Sequence, residues 1–264
     1  MFAEYDTLLL HKPSEHVLLV TLNRPEAANA FNTIMARELY ELFEALALDA
    51  EDIRAIVVTG AGDRAFCAGG DLKERNGMSD ADWQAQHLVY ERMVRAIIAC
   101  PLPVIGAING AAYGGGCELV AAMDFVYVSK TAKFAQTEVS LGIIPGAGGT
   151  QTLSRAIGER RAKELIFSGR VFTAEEAVDW GLANEICPPQ ELLQTVLGMA
   201  KSIASNAPIA VRQAKQAIHK GLQMGLSDGL AFEIEAYNRT IPTADRREGV
   251  QAFNEKRKPK FTGQ

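Results

Sequence analysis

The sequence predicts an α/β protein whose core strands run parallel, followed by a helical C-terminal part. Three observations carry that expectation. Apolar, β-branched runs alternate with amphipathic helical patterns through the first half of the chain. Glycine clusters stand where those runs end, and from Gly146 onward the apolar spacing is helical almost without interruption.

His16 to Leu22 (HVLLVTL) is β-branched and apolar, bounded by Pro13 and by Asn23-Arg24-Pro25, and reads as a strand. Over 33–49, Ile34, Leu39, Leu42, Phe43 and Leu46 recur at helical spacing with acids between them, which makes an amphipathic helix with Asn32 as its cap. Residues 53–59 (IRAIVVT) form a buried strand ended by Gly60-Ala61-Gly62. A second long helix covers 81–99 and stops at Cys100-Pro101, because the residue before proline is pushed out of the helical region. A strand over 104–108, a helix over 115–122 and a strand over 125–128 follow. The later helices are expected at 149–156, 159–167, 173–180, 190–205, 208–222, 228–239 and 246–255. This order places an α/β core in 1–200 and a helical region in 201–264. It does not separate a doubly wound sheet from a spiral of ββα turns.

The chain has 264 residues, 48% of them hydrophobic and 22% charged, which suits a soluble globular protein able to bury its own core. A net charge of -5 argues against a nucleic-acid surface. Cys67, Cys100, Cys117 and Cys187 make no C-x-x-C pair and have no His at ligand spacing, so they read as reduced, buried thiols and not as a metal site. Acids between Met1 and Asp6 stand where a targeting peptide needs bases, and the expected location is cytoplasmic. Pro103 to Met123 has the length of a membrane span, but it contains Asn109, Glu118 and five glycines; a strand, a turn and a buried helix account for it better.

Two motifs are weak. Gly60-Ala61-Gly62-Asp63-Arg64-Ala65 matches a dinucleotide fingerprint, yet no amphipathic helix follows it. Gly225-Leu226-Ser227-Asp228-Gly229 matches a hydrolase nucleophile elbow, yet a helix precedes it and every histidine lies upstream; Ser227 is expected to be a helix N-cap.

Stronger signals lie in FCAGGDLK (66–73) and NGAAYGGGCE (109–118), which put glycines where the chain leaves a strand, so that backbone can approach a ligand closely. In the second, a helix starts at the glycines, and its first amides point outward as donors at the positive end of the helix dipole. Glu118 falls one turn beyond Gly115 on the same face. A third segment, FAQTE (134–138), sets Glu138 in apolar surroundings, where a carboxylate with a raised pKa can serve as acid or base.

Together these segments resemble the crotonase (enoyl-CoA hydratase/isomerase) superfamily. LNRP (22–25), AKEL (162–165), Gly169-Arg170 and FNEKRK (253–258) extend the resemblance over nearly the whole chain, in order. The resemblance implies a spiral of ββα repeats with a helical C-terminal trimerisation region, and a homo-oligomer that is a trimer or a dimer of trimers. It implies catalytic roles for Glu118 and Glu138, which stand 20 positions apart as in hydratases, and for the amides of Gly70 and Gly115 as an oxyanion hole. It also implies a coenzyme A contact along Ala27, Ala28, Ala68, Gly70, Asp71, Leu72, Lys73 and Gly115, with Phe253 and Lys256 added by a neighbouring subunit. No cofactor is implied, coenzyme A being part of the acyl-CoA thioester substrate; nor is a nucleic-acid or membrane partner.

The expected reaction is hydration of an enoyl-CoA, short-chain or branched, such as methylglutaconyl-CoA, which FCAGGDLKER (66–75), AKELIF (162–167) and TIPT (240–243) resemble most closely. An isomerase or a specialised hydratase on the same fold is the alternative. An RNA-binding relative is disfavoured, because Arg37 stands alone against Glu38, Glu41, Glu44, Asp49, Glu51 and Asp52 on that helix. Thr137 and Tyr113 depart from the commoner family residues and are expected to reshape the acyl pocket. For a distal acyl carboxylate, the sequence offers only the candidates Arg75 and Arg92.

Overall fold

A computed structural model describes residues 4–264. The chain runs β1 (Leu8–Ser14), β2 (Val17–Leu22), α1 (Thr33–Leu48), β3 (Ala55–Gly60), β4 (Ala65–Cys67), α2 (Leu72–Arg75), α3 (Asp80–Ala99), β5 (Val104–Ile108), β6 (Ala111–Tyr113), α4 (Gly115–Ala122), β7 (Phe125–Ser129) and β8 (Lys133–Ala135). It continues through α5 (Gly149–Ile157), α6 (Glu159–Ser168), β9 (Phe172–Thr173), α7 (Ala174–Asp179), β10 (Glu185–Cys187), α8 (Leu192–Ala204), α9 (Pro208–Gly221), α10 (Leu226–Asn238) and α11 (Ala244–Asn254).

The strands form two sheets, ordered β1-β2-β3-β5-β7-β10 and β4-β6-β8-β9. Pairing is parallel from β2 through β10 and from β4 through β8; the β1/β2 and β8/β9 pairs are antiparallel. Consecutive strands β3/β4, β5/β6 and β7/β8 therefore each place one member in either sheet, so the chain climbs as a spiral of ββα turns.

Period-2 alternation explains the larger sheet. Leu18, Val20, Ile56 and Val58 face the main core with Phe43 and Met93. The residues between them, Val17, Ala55, Val57, Ile105 and Ala107, face a second layer made by Leu192, Val196, Ala200 and Ala204 of α8. Every residue of β3 and β5 is buried, because both faces are covered. Helix α1 is capped by Asn32, whose side chain accepts the amide of Met35 at 2.9 Å, and α3 by Ser79, which accepts from Asp82. All four cysteines are free and buried.

Some expectations need correction. Strand β1 is an addition: an edge strand carrying His11, Lys12 and Pro13 lacks apolar alternation on its solvent side, and proline is tolerated at a sheet edge. Strands β4, β6 and β8 are three residues each, too short for periodicity to register. Ser227 is not an N-cap: α10 begins at Leu226 behind Gly225, leaving Ser227 inside its first turn. As expected, the GAGDRA segment does not lead into a helix; it leads into β4, a strand. Helix α8 runs through residue 200 and belongs to the second packing layer of the sheet. Among the described residues no helix is long and apolar enough to cross a membrane.

Candidate active site

Two loops meet backbone to backbone at the C-terminal ends of β4 and β6. In the first, Gly69 has φ +92, and a Cβ there would lie 2.7 Å from the carbonyl oxygen of Tyr113 and 3.1 Å from the amide nitrogen of Gly115. A Cβ on Gly116 would lie 2.0 Å from the carbonyl oxygen of Cys67. Only glycine permits this approach. The first loop is clamped on Phe31, whose amide donates to Gly69 at 2.9 Å and whose carbonyl accepts the amide of Asp71 at 3.0 Å. Tyr90 fixes the clamp by donating its hydroxyl to the Phe31 carbonyl at 3.1 Å.

Asp71 caps α2 by accepting the amides of Lys73 and Glu74, and it pairs with Arg24 at 2.9 Å. These contacts together hold its carboxyl below the usual carboxylate range against the opposing effect of burial. Its carboxylate is thus engaged in holding the loop. The amides of Gly70 and Gly115 donate to no protein acceptor among the described residues. Gly115 is the first residue of α4, so its amide is one of the helix's unpaired donors.

Glu118, on α4, is 3% exposed. Its Oε1 accepts the amides of Ala147 at 2.8 Å and Gly149 at 2.7 Å. Burial, reinforced by the charge of Glu138, pushes its carboxyl up to about 7 although both amides act the other way. Glu138 opens a 3-10 turn (Glu138–Leu141) and is 8% exposed; burial raises its carboxyl as well. Gln136 is fully buried beside it, and with its amide nitrogen turned to the carboxylate it donates to both oxygens, at 3.2 and 3.1 Å.

Both carboxylates line one narrow cleft of about 80 Å³ together with Gly70, Gly115, Phe31 and Leu141. A larger hollow, about 860 Å³, lies elsewhere, between Met123, Arg155 and α9, and none of these groups lines it. Two carboxyl groups whose burial favours the protonated form can exchange protons with a molecule seated between them, beside donors free to bind an anionic oxygen.

Ala68, Gly70, Leu72 and Gly115 line the cleft, and Ala27 and Ala28 are brought alongside, the Ala28 carbonyl accepting the Ala68 amide at 3.0 Å. Lys73 is exposed on α2. Phe253 and Lys256, in and just beyond α11, lie outside this chain's cleft. Thr137 lines the cleft as expected, but Tyr113 does not; it meets the site only through its carbonyl against Gly69. Arg75 lines the cleft, whereas Arg92 is exposed on α3. Phe31, Tyr90, Gln136 and the Ala147–Gly149 amides escaped sequence reading, since each is apolar, uncharged or main chain.

The fold is a ββα spiral whose cleft brings two buried carboxyl groups together with unpaired backbone amides. The chain belongs to the enoyl-CoA hydratase/isomerase family, whose profile matches residues 12–264. It is 40% identical to a short-chain-enoyl-CoA hydratase of Clostridium acetobutylicum over 97% of both chains. It is 38% identical to a crotonyl-CoA hydratase of Syntrophomonas wolfei, covering 97% of this chain and 98% of that one. Among solved structures, an enoyl-CoA hydratase from Bacillus anthracis superposes with a TM-score of 0.96 at 43% identity, covering 98% of this chain and 100% of that one.

Proposed function

We propose that this protein is an enoyl-CoA hydratase that adds water reversibly across the 2,3 double bond of a short or branched enoyl-CoA such as methylglutaconyl-CoA. The observation that carries the reading is the pair of buried carboxylates, Glu118 and Glu138, in one cleft with the unpaired amides of Gly70 and Gly115.

The thioester carbonyl oxygen accepts both amides, and conjugation makes Cβ electrophilic. Water held between the glutamates attacks Cβ: its oxygen forms the new C–O bond, and its proton passes to Glu118, present as carboxylate. Enolate charge builds on the carbonyl oxygen, where each amide donor supplies about 3–4 kcal/mol. Glu138, present as acid, delivers a proton to Cα, and the electron pair of the former double bond takes it. Ala27, Ala28 and Ala68 to Lys73 border the coenzyme A, with Phe253 and Lys256 reaching it from a neighbouring copy. A trimer or dimer of trimers is supported by the apolar side chains that α10 and α11 expose, among them Leu226, Ile234, Tyr237 and Phe253; four free, buried cysteines support a cytoplasmic location.

Mixing the protein with crotonyl-CoA and following the conjugated enoyl-thioester absorbance tests the reaction. Rapid loss with the wild type and none with a Glu118→Gln/Glu138→Gln double variant is expected. Persistent absorbance with both crotonyl-CoA and methylglutaconyl-CoA would overturn the assignment. An isomerase relying on Glu138 alone would survive Glu118→Gln, whereas a hydratase would not.

A further inference from the structure

Arg75 is a cation without an anion. It ends α2, is only 8% exposed and lines the same cleft as Glu118 and Glu138. Its Cζ lies over the Trp83 ring, 4.3 Å from the centroid, and over the Tyr90 ring, at 5.0 Å. Its Nε donates to Gln86 Oε1 at 2.8 Å. Nη1 and Nη2 have no acceptor among the described residues, and the guanidinium forms no ion pair there. The nearby acids are engaged: Asp71 with Arg24, and Glu74 with the Thr33 amide and the Gln86 amide group.

A buried guanidinium normally finds a carboxylate, because its desolvation is otherwise uncompensated. Here the surrounding residues engage the Nε and the neighbouring acids, and leave the Nη end bare. That end also lies close to the oxyanion loop, for a Cβ on Gly70 would sit 3.8 Å from Cζ and 3.9 Å from Nη1. A thioester seated on Gly70 and Gly115 would direct a short acyl chain past this guanidinium.

We propose that Arg75 is a specificity-determining residue that binds a carboxylate at the distal end of the acyl chain, so that the preferred substrates are short enoyl-CoAs ending in a carboxylate. The planar fork of Nη donors matches a carboxylate in bidentate fashion, which a lysine could not reproduce. A linear alkyl chain would offer the bare Nη end no acceptor. The inference rests on the hydratase reading only for the seat of the thioester.

The test uses saturated analogues that are not turned over. Glutaryl-CoA and butyryl-CoA are titrated calorimetrically into the wild type, Arg75→Met and Arg75→Lys. The wild type is expected to bind glutaryl-CoA on the order of 10–100-fold more tightly, the range of a buried charge-assisted contact. Arg75→Met should bring that ratio close to one, with Arg75→Lys between. The ratio is unaffected by any loss of folded protein, which weakens both ligands together. Equal binding by the wild type, or a preference that survives Arg75→Met, would overturn the proposal. Should crotonyl-CoA and methylglutaconyl-CoA resist hydration while the glutaryl preference appears and vanishes with Arg75, the reaction assignment fails and the carboxylate subsite stands.

Discussion

Glu118 accepts the backbone amide of Gly149 at 2.7 Å, and it does so because residue 149 has no side chain. The contact ties the middle of α4 to the first residue of α5, and with the Ala147 amide it fixes one carboxylate oxygen while leaving the other to the cleft. The same amides stabilise the ionised form, and burial opposes them.

Gly149→Ala isolates that contact. A Cβ there would lie 2.9 Å from both Cγ and Oε1 of Glu118 and 2.9 Å from the side-chain amide of Gln136. The carboxylate must shift, and displacement of a catalytic group by about 1 Å costs on the order of 10²-fold in rate. We expect kcat for crotonyl-CoA to fall by about that factor with KM nearly unchanged. An unchanged kcat in a steady-state assay would show that Glu118 tolerates the crowding.

The raised carboxyl of Glu118 makes stability depend on pH. Its folded pKa, about 7, lies above its ordinary 4.5, so the fold favours the protonated form. The corresponding stability is fully present below 4.5 and is lost as pH rises through 7. Glu118→Gln keeps an oxygen for both amides and removes the titration. Relative to wild type, the variant should gain up to about 3 kcal/mol on going from about pH 4.5 to about pH 8.5. Melting temperatures across that range check this; parallel curves for the two proteins would refute it.

Much of the spiral is legible in the chain. Long elements declare themselves: α1 by its apolar stripe and Asn32, β3 and β5 as continuous apolar runs, and β5, the turn and α4 by glycines where a membrane span would need apolar side chains. The glutamates are legible because acids are rare in such surroundings. What the sequence hides is made by tertiary approach. Gln136 is an unremarkable amide until Glu138 lies beside it, and Gly149 is one glycine of several until Glu118 reaches it. Tyr113 misleads for the converse reason: strand β6 offers the site its main chain and turns the ring elsewhere.

Gln136 should tune Glu138. Its amide donates to both carboxylate oxygens and so favours the ionised form. Gln136→Met removes those donors in a fully buried position at similar length, and the pKa of Glu138 should rise above its already raised value. The pH–rate limb that reports this ionisation should move to higher pH, with a loss of about tenfold in kcat. A profile that keeps its position while kcat falls would mean that Gln136 only shapes the cleft.

Asn29 tests how far the site depends on a loop that carries no chemistry. It is 0% exposed and has φ 54. Its Oδ1 accepts the Arg24 amide at 3.0 Å, and its Nδ2 donates to the carbonyls of Ala61 and Ala65, each at 2.9 Å. Asparagine is among the few side chains that tolerate this left-handed conformation. Asn29→Ala would strip partners from buried backbone groups and leave a Cβ in a strained region, with an expected cost of about 3–5 kcal/mol. Asn29→Gly loses the same hydrogen bonds without the strain, so it should be about 1–2 kcal/mol less destabilised. The neighbouring Ala28 carbonyl holds the Ala68 amide at 3.0 Å, two residues before Gly70. Loosening it should therefore raise KM for the thioester in whatever fraction of the variant remains folded. Chemical denaturation of both variants against wild type measures the first effect. Equal losses for Ala and Gly would show that the hydrogen bonds alone matter, and no loss in either would remove Asn29 from the support of the site.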